Sequence, residues 1–251
     1  MNRPVALVTG ASAGLGEEFA RQLSKRGISL VLAARRKDRL EELAAELGNA
    51  RAIESDLSVP GSVGRLLAEI ESAGETIELL VNNAGFGLTG RFSKQDPSRL
   101  RQMIDLNCGA LTELCRAIAP AMIERRFGAI LNIASTAAFQ PGPGMAVYFA
   151  TKAFVLSLTE ALHEELKPYG VKVSALCPGP TATEFGEVAG FRKPIPKFAV
   201  ADAISVVRAG LDGLDSNRAV VVPGMLNKLS AQGHRLLPRA ALRRIAGAIK
   251  Y

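Results

Sequence analysis

"VALVTGASAGLG", residues 5–16, reads as a strand that runs into a turn and straight on into a helix. Val5, Ala6, Leu7 and Val8 form a continuous apolar run, the pattern of a strand covered on both faces of a sheet. Gly10, Gly14 and Gly16 follow, and the helical stretch "EEFARQLSKRG" begins at once. Glycines in such a turn lack the Cβ that would keep a phosphate away from backbone N–H groups and from the helix N-terminus. They also suit simple close packing of strand on helix, so the rest of the chain has to decide between the two.

Outward from this stretch, short β-rich runs alternate with longer amphipathic ones. Strands are predicted near residues 4–9, 28–33, 50–54, 77–82, 128–134, 171–177 and 219–222. Helices are predicted near 14–26, 37–47, 60–72, 97–125, 147–167 and 199–213. The runs "VALV", "ISLVLAA", "ELLV" and "AILNIA" are almost purely apolar, as burial on both faces of a parallel sheet demands. The alternation predicts an α/β fold of doubly wound, Rossmann type: a parallel sheet of about seven strands with helices on both faces. Ligands of such sheets bind beyond the carboxyl ends of the strands, which directs attention to the segment after each strand.

Bulk properties bound the rest. A chain of 251 residues with 48% hydrophobic content can bury a large core, and without a repeat, low-complexity tract or long linker it reads as one unit. "MNRPVALVTG" lacks a signal-peptide layout, and no apolar stretch approaches the roughly 20 residues of a membrane helix, so a cytoplasmic location is expected. Cys108, Cys115 and Cys177 lack metal spacing and His163 and His234 stand alone, so no metal and no disulfide framework are assigned. The net charge of +7 resides in the tail: Arg218, Lys228, Arg235, Arg239, Arg243, Arg244 and Lys250 all follow Asp215, the last acidic residue.

The end of the second strand bears on the ligand. In NAD-binding sites an acid about 20 residues beyond the glycine turn holds the ribose 2′-hydroxyl. In "LAARRKDRL", Ala34 stands near that place and Arg35 and Arg36 follow. With no carboxylate to repel a 2′-phosphate and an arginine fork to hold one, NADP(H) is expected over NAD(H). Solvated charges at a helix start are the plainer alternative.

Further motifs follow in a fixed order. "SDLS" (55–58) carries Asp56, and "NNAG" spans 82–85. Asn107 lies in "DLNCGA", Ser135 in "NIAST", and Tyr148 and Lys152 in "MAVYFATKAF"; "CPGPTATEF" covers 177–185. Four residues apart on a helix, Tyr148 and Lys152 share one face, where a phenol and an ammonium either meet or snorkel to water. The ordered set resembles the classical short-chain dehydrogenase/reductase family over roughly residues 4–222, with Ser135 preceding Tyr148 by the family's usual interval.

That resemblance implies a catalytic set of Asn107, Ser135, Tyr148 and Lys152. It also implies cofactor contacts from Gly10, Ser12, Gly14, Leu15, Gly16, Arg35, Arg36, Asp56, Leu57, Asn83, Ala84, Gly85, Tyr148, Lys152, Pro178, Gly179, Thr181 and Thr183. Asp56 would lie at the adenine and the 177–185 segment over the nicotinamide. Ala13 departs from the pattern, since many NADP-preferring members carry a basic residue there, and dual cofactor use stays open.

The implied chemistry is reversible reduction of a carbonyl. Tyr148 would be the acid, its ordinary pKa of about 10 lowered by the Lys152 ammonium together with oxidised nicotinamide. Ser135 would orient the substrate oxygen, Asn107 a water leading from Lys152 to solvent, and Lys152 the nicotinamide ribose. Phe86, Phe139, Met145, Phe185 and Phe191 are expected to line an apolar pocket beneath a lid near 180–198, suiting hydrophobic ketones or aldehydes. Residues 1–225 then form the catalytic domain and 226–251 a basic amphipathic extension. From Pro238 a helix would set Arg239, Arg243 and Lys250 on one side and Ala241, Ile245 and Ile249 on another.

The extension suits peripheral contact with anionic membrane, an acidic acyl carrier, or packing on the body or a sister subunit. No nucleic acid is expected, and the family implies a homo-oligomer, dimer or tetramer. A 3-oxoacyl thioester (ACP or CoA) reductase is the second enzyme reading, with Arg192 of the lid facing the carrier or the CoA phosphate. The non-enzyme alternative is an NADP(H)-sensing binding protein, against which the intact Ser135, Tyr148 and Lys152 count.

Overall fold

The computed structural model describes residues 3–191, 200–233 and 238–248. Its strands are β1 (Arg3–Thr9), β2 (Leu30–Ala34), β3 (Ala50–Glu54), β4 (Glu75–Asn82), β5 (Gly128–Ile133), β6 (Val171–Leu176) and β7 (Val220–Val221). All pair in parallel in the order β3-β2-β1-β4-β5-β6-β7. The helices are α1 (Gly14–Lys25), α2 (Lys37–Leu47), α3 (Ser62–Ser72), α4 (Pro97–Ile104), α5 (Leu111–Glu124), α6 (Ala146–Leu166), α7 (Phe185–Ala189), α8 (Ala203–Asp215), α9 (Met225–Gly233) and α10 (Arg239–Ala248). The doubly wound α/β architecture and the predicted strands are therefore present, with ends moved by one or two residues.

The two faces follow from the period of two along a strand. Val5 and Leu7 point into the core built with Leu66 and Ile70 of α3, Leu114 and Ile118 of α5 and Val155 of α6. Ala6 and Val8 point into the opposite core, with Phe19 and Leu23 of α1, Leu40 of α2 and Val206, Val207 and Leu211 of α8. Strand β2 is buried along its whole length, which is why it reads as an unbroken apolar run.

One predicted helix is three pieces. The stretch 97–125 divides into α4, a π-helical turn at Asp105–Ala110, and α5. Apolar spacing on either side is helical, so a single wider turn between them does not register as a change of period. The helix predicted from 60 begins instead at Ser62, because Gly61 holds a left-handed φ of 76° before it. The one predicted from 199 begins at Ala203, where the Asp202 carboxylate accepts from the Ser205 N–H at 2.8 Å. Residue 199 lies outside the described residues.

At the opposite end of the sheet from the carboxyl-end loops, Glu75 opens β4 with a side chain only 1% exposed. It accepts hydrogen bonds from Arg3 and, at 2.7 Å, from Arg51, which also pairs with Glu69 at 3.0 Å. Burial raises the Glu75 pKa, but the two guanidiniums outweigh it and hold the carboxyl below its ordinary 4.5. The group thus contributes stability that is present above the unfolded-state pKa and is lost as pH falls through the folded one. Glu75→Gln is expected to cost about 2 kcal/mol and to lower Tm by about 5 °C at neutral pH, with the difference from wild type shrinking on acidification. Calorimetry across pH checks this, and an equal Tm difference at every pH would contradict it.

Beyond β7, α9 packs on the 3-10 turn Thr136–Phe139, with Ala231 buried and Met225, Leu226 and Leu229 exposed. On α10 the buried residue is Ala246, while Ile245, expected on the apolar side, is 53% exposed. The helix is thus rotated from the face its sequence suggests, because Ala246 allows a closer approach to the body than Ile245 would. His234, Arg235, Ile249 and Lys250 lie outside the described residues. No helix among the described residues is long and apolar enough to cross a membrane.

Candidate active site

Strand order reverses between β1 and β4, and a crevice opens where their carboxyl ends part. Thr9 stitches it at the base. Its Oγ1 accepts from the N–H groups of Asn83 and Ala84, each at 3.0 Å, and the Asn83 amide donates back to the Thr9 carbonyl at 2.9 Å. Gly10 and Gly14 adopt left-handed φ values of 66° and 59°, and a Cβ on Gly16 would stand 2.2 Å from the Gly10 carbonyl oxygen. Close packing therefore demands Gly16, as the plainer reading of the turn allowed.

The turn is nevertheless also a cradle. Ala13, the N-cap of α1, offers no side-chain acceptor, so the first amides of the helix stay open at the positive end of its dipole. Such a terminus fits a pyrophosphate, and a guanidinium cluster stands beside it. Arg36 donates from Nε to the Ser12 hydroxyl and from Nη2 to the Ser12 carbonyl, both at 3.2 Å. It also pairs at 2.8 Å with Glu184, which Arg39 meets at 2.6 Å. Arg35 is exposed and makes no ion pair among the described residues. Asp56, expected at the adenine, caps its own turn by accepting from the Ser58 N–H at 3.0 Å and hydroxyl at 2.7 Å, beside the buried Leu57.

At the other end of the crevice, Ser135 follows β5 and begins the 3-10 turn. Its hydroxyl accepts from the Ala137 N–H at 3.1 Å and donates to the Pro178 carbonyl at 3.3 Å, tying β5 to the Pro178–Gly179 segment. Tyr148, near the start of α6, is buried and interacts with the Ser135 hydroxyl. Lys152, one turn on, is also buried and donates to the Ile133 carbonyl at 2.7 Å. Its ammonium lies 5.9 Å from the centre of the Tyr148 ring. The shared face read from the i, i+4 spacing is therefore real, and neither group snorkels.

The protein groups by themselves shift Tyr148 and Lys152 in opposite directions. Burial pushes the Tyr148 pKa up to about 12, with Ser135 opposing, and burial pulls the Lys152 pKa down to about 8. Both shifts favour neutral forms, because burial strips water from the charged form of each group.

Asn107 sits in the π-helical turn and is 1% exposed. Its carboxamide accepts from the Phe86 N–H at 3.1 Å and donates to the Phe86 carbonyl at 3.0 Å and to the Thr151 hydroxyl at 3.1 Å. Both of its N–H donors and one of the two lone pairs of its oxygen hold the turn after β4 to α6. Gly85 runs beside it: a Cβ there would stand 3.0 Å from Asn107 Oδ1 and 3.7 Å from the Lys152 ammonium.

Phe86, Met145, Phe185 and Phe191 gather in one cluster around Tyr148. Phe185, the first residue of α7, approaches the Tyr148 ring at 5.3 Å between centroids, and Phe191 packs edge-on against Phe185 at 6.4 Å. Phe139 corrects the expected lining. It is partly buried and packs against the core shared by α5 and α6, outside the cluster around Tyr148. Residues 180–191 of the predicted lid are described, and Arg192 lies outside the described residues. Thr181 and Thr183 belong to it, and Thr183 packs directly on Gly14, where a Cβ would meet it at 3.0 Å.

These features agree with a match of the short chain dehydrogenase family model to residues 4–190. The chain belongs to the short-chain dehydrogenase family. It is thereby an oxidoreductase of the alcohol–carbonyl couple that uses NAD(P)(H). Among solved members, a short-chain dehydrogenase from Sphingobium yanoikuyae in complex with NADPH is 37% identical with a TM-score of 0.84, covering 98% of this chain and 96% of that one. The bulky-bulky ketone specific alcohol dehydrogenase from Comamonas testosteroni is 32% identical with a TM-score of 0.80, covering 100% and 96%. The very-long-chain 3-oxoacyl-CoA reductase of Bos taurus is 32% identical over 213 residues, 80% of this chain and 68% of that protein.

Within this short-chain dehydrogenase, several site neighbours escaped the sequence reading. Arg39 follows Arg36 by one helical step, a spacing that could have flagged it. Arg99 lies over the Phe86 ring at 4.7 Å, and Asn227 of α9 sits so close to Gly179 that a Cβ there would be 2.4 Å from its Oδ1. No local pattern marks either.

Proposed function

We propose that this short-chain dehydrogenase is an NADPH-dependent reductase of hydrophobic ketones and aldehydes. The observation that carries the reading is the convergence of Tyr148, Ser135 and Lys152 beneath a wall of Phe86, Met145, Phe185 and Phe191. When bound, the nicotinamide supplies the hydride. Tyr148 gives its phenolic proton to the oxygen of the substrate carbonyl, and the Ser135 hydroxyl holds that oxygen beside it. A phenol pKa of about 12 keeps Tyr148 protonated throughout the neutral range, the form that reduction consumes. Lys152, with its pKa near 8, stands next in line to return the proton through the backbone of the Asn107 turn. The open amides of α1 would hold the pyrophosphate, and Arg35, Arg36 and Ser12 would hold the 2′-phosphate.

The bovine 3-oxoacyl-CoA reductase favours one second reading, a 3-oxoacyl thioester as the carbonyl substrate. Both are tested by NADPH consumption against simple ketones, aryl ketones, aldehydes and 3-oxoacyl thioesters. The proposal expects kcat/KM for bulky apolar ketones at least ten-fold above that for acetoacetyl thioesters. The reverse order selects the thioester reading, and no turnover of any carbonyl overturns both.

A further inference from the structure

Three consecutive lid residues touch three parts of the crevice. Thr183 packs on Gly14 of the glycine turn, Glu184 pairs with Arg36 and Arg39, and Phe185 lies against the Tyr148 ring. Arg36 is the guanidinium bound to Ser12 at the end of β2, the place where this fold receives an adenosine 2′-phosphate. A carboxylate from the far side of the crevice therefore already occupies one amino group of Arg36, part of the set such a phosphate would use, and the neighbouring Arg39, while Arg35 stays exposed. Its two partners hold Glu184 ionised, with its pKa lowered chiefly by the hydrogen bond from Arg39 and then that from Arg36.

We infer that Glu184 sets the balance between NADP(H) and NAD(H) by competing with the 2′-phosphate for Arg36 and Arg39, and that its release frees the lid. The inference rests on the NADP(H) reading above and goes beyond it by naming the residue that opposes the phosphate. Two anions cannot share one guanidinium fork without repulsion, so the phosphate either displaces Glu184 or binds weakly beside it. NAD(H) carries no such group and leaves the pair in place. Since Phe185 follows Glu184 directly, displacement of the carboxylate also moves the ring that covers Tyr148. The 2′-phosphate thereby opens the catalytic phenol from the opposite end of the cofactor groove.

The test is a set of binding titrations of wild type and Glu184→Gln with NADPH, NADH, 2′,5′-ADP and 5′-AMP at low and high salt. The pairs are surface-exposed, so their loss is worth about five-fold. Glu184→Gln should bind NADPH and 2′,5′-ADP about five-fold more tightly and NADH and 5′-AMP within about two-fold of wild type, with the gap narrowing at high salt. Equal changes for phosphorylated and unphosphorylated ligands, or none, would overturn the competition. In the wild type, 2′,5′-ADP should speed amide hydrogen exchange over residues 183–191 relative to 5′-AMP; identical exchange would overturn the coupling to the lid. Failure of the NADP(H) reading looks different: neither protein then distinguishes 2′,5′-ADP from 5′-AMP. Failure of the competition alone leaves a wild-type preference that Glu184→Gln does not alter.

Discussion

Tyr148→Phe is expected to lower kcat for carbonyl reduction about 10³-fold while cofactor affinity stays within about two-fold of wild type. The substitution removes one oxygen. It keeps the ring that packs edge-on with Phe149 at 6.1 Å and against Phe185 at 5.3 Å, so the pocket and α6 retain their shape. What disappears is the proton donor that interacts with Ser135. Lys152 donates to the Ile133 carbonyl and stands behind Tyr148, 5.9 Å from its ring centre, so it resupplies the phenol rather than replacing it. Single-turnover kinetics paired with NADPH titration separates the two quantities. A variant that keeps a tenth or more of wild-type kcat would show that Tyr148 is not the acid.

Gly16→Ala is expected to destabilise the fold by about 3 kcal/mol and to abolish measurable cofactor binding. The added Cβ would lie 2.2 Å from the Gly10 carbonyl oxygen and 2.5 Å from Asn83 Nδ2. Neither can retreat, because Gly10 is fixed by its N–H bond to the Ala33 carbonyl at 2.7 Å and Asn83 by its bond to Thr9 at 2.9 Å. Gly64, on the exposed side of α3, has no atom within 4 Å of such a Cβ. There the same substitution should stabilise by about 0.5–1 kcal/mol, through helix propensity and a less flexible unfolded chain. Denaturant melts of the two variants make the comparison. Equal effects would mean that packing at the turn is not what requires glycine.

The two substitutions also show why much of this molecule is legible in its sequence. Local rules govern the glycine turn and the apolar strands: a residue without a Cβ is needed where backbone meets backbone, and an all-apolar run is needed where both faces are covered. Ser135, Tyr148 and Lys152 are similarly readable, since a strand end and the first turns of α6 bring their side chains to one place. The π-helical turn at Asn107 is not readable that way. Its carboxamide bonds both the N–H and the carbonyl of Phe86, 21 positions away, a partner that only the fold supplies.

Charge states were harder still to anticipate. A Tyr-x-x-x-Lys spacing suggests an ammonium that acidifies a phenol, yet the Ile133 carbonyl takes the ammonium's direct hydrogen bond and burial moves both groups toward neutrality. Desolvation depends on everything packed around a group, and no window of sequence reports it. The same holds for Phe139, which the sequence assigns to the pocket and which packs against the core of α5 and α6.

By itself, then, the sequence determined the alternating α/β architecture, the glycine turn, the order of the strands' functional ends and membership of the family, because each depends on contacts within a turn, a strand or a helix. Tertiary structure alone decided which charge meets which. It placed Glu184 on Arg36 and Arg39 across the crevice, Phe185 over Tyr148, and Asn227 against Gly179. Those pairings join segments separated by up to 148 positions, and only the folded chain brings them within the few ångströms over which ion pairs and ring contacts act.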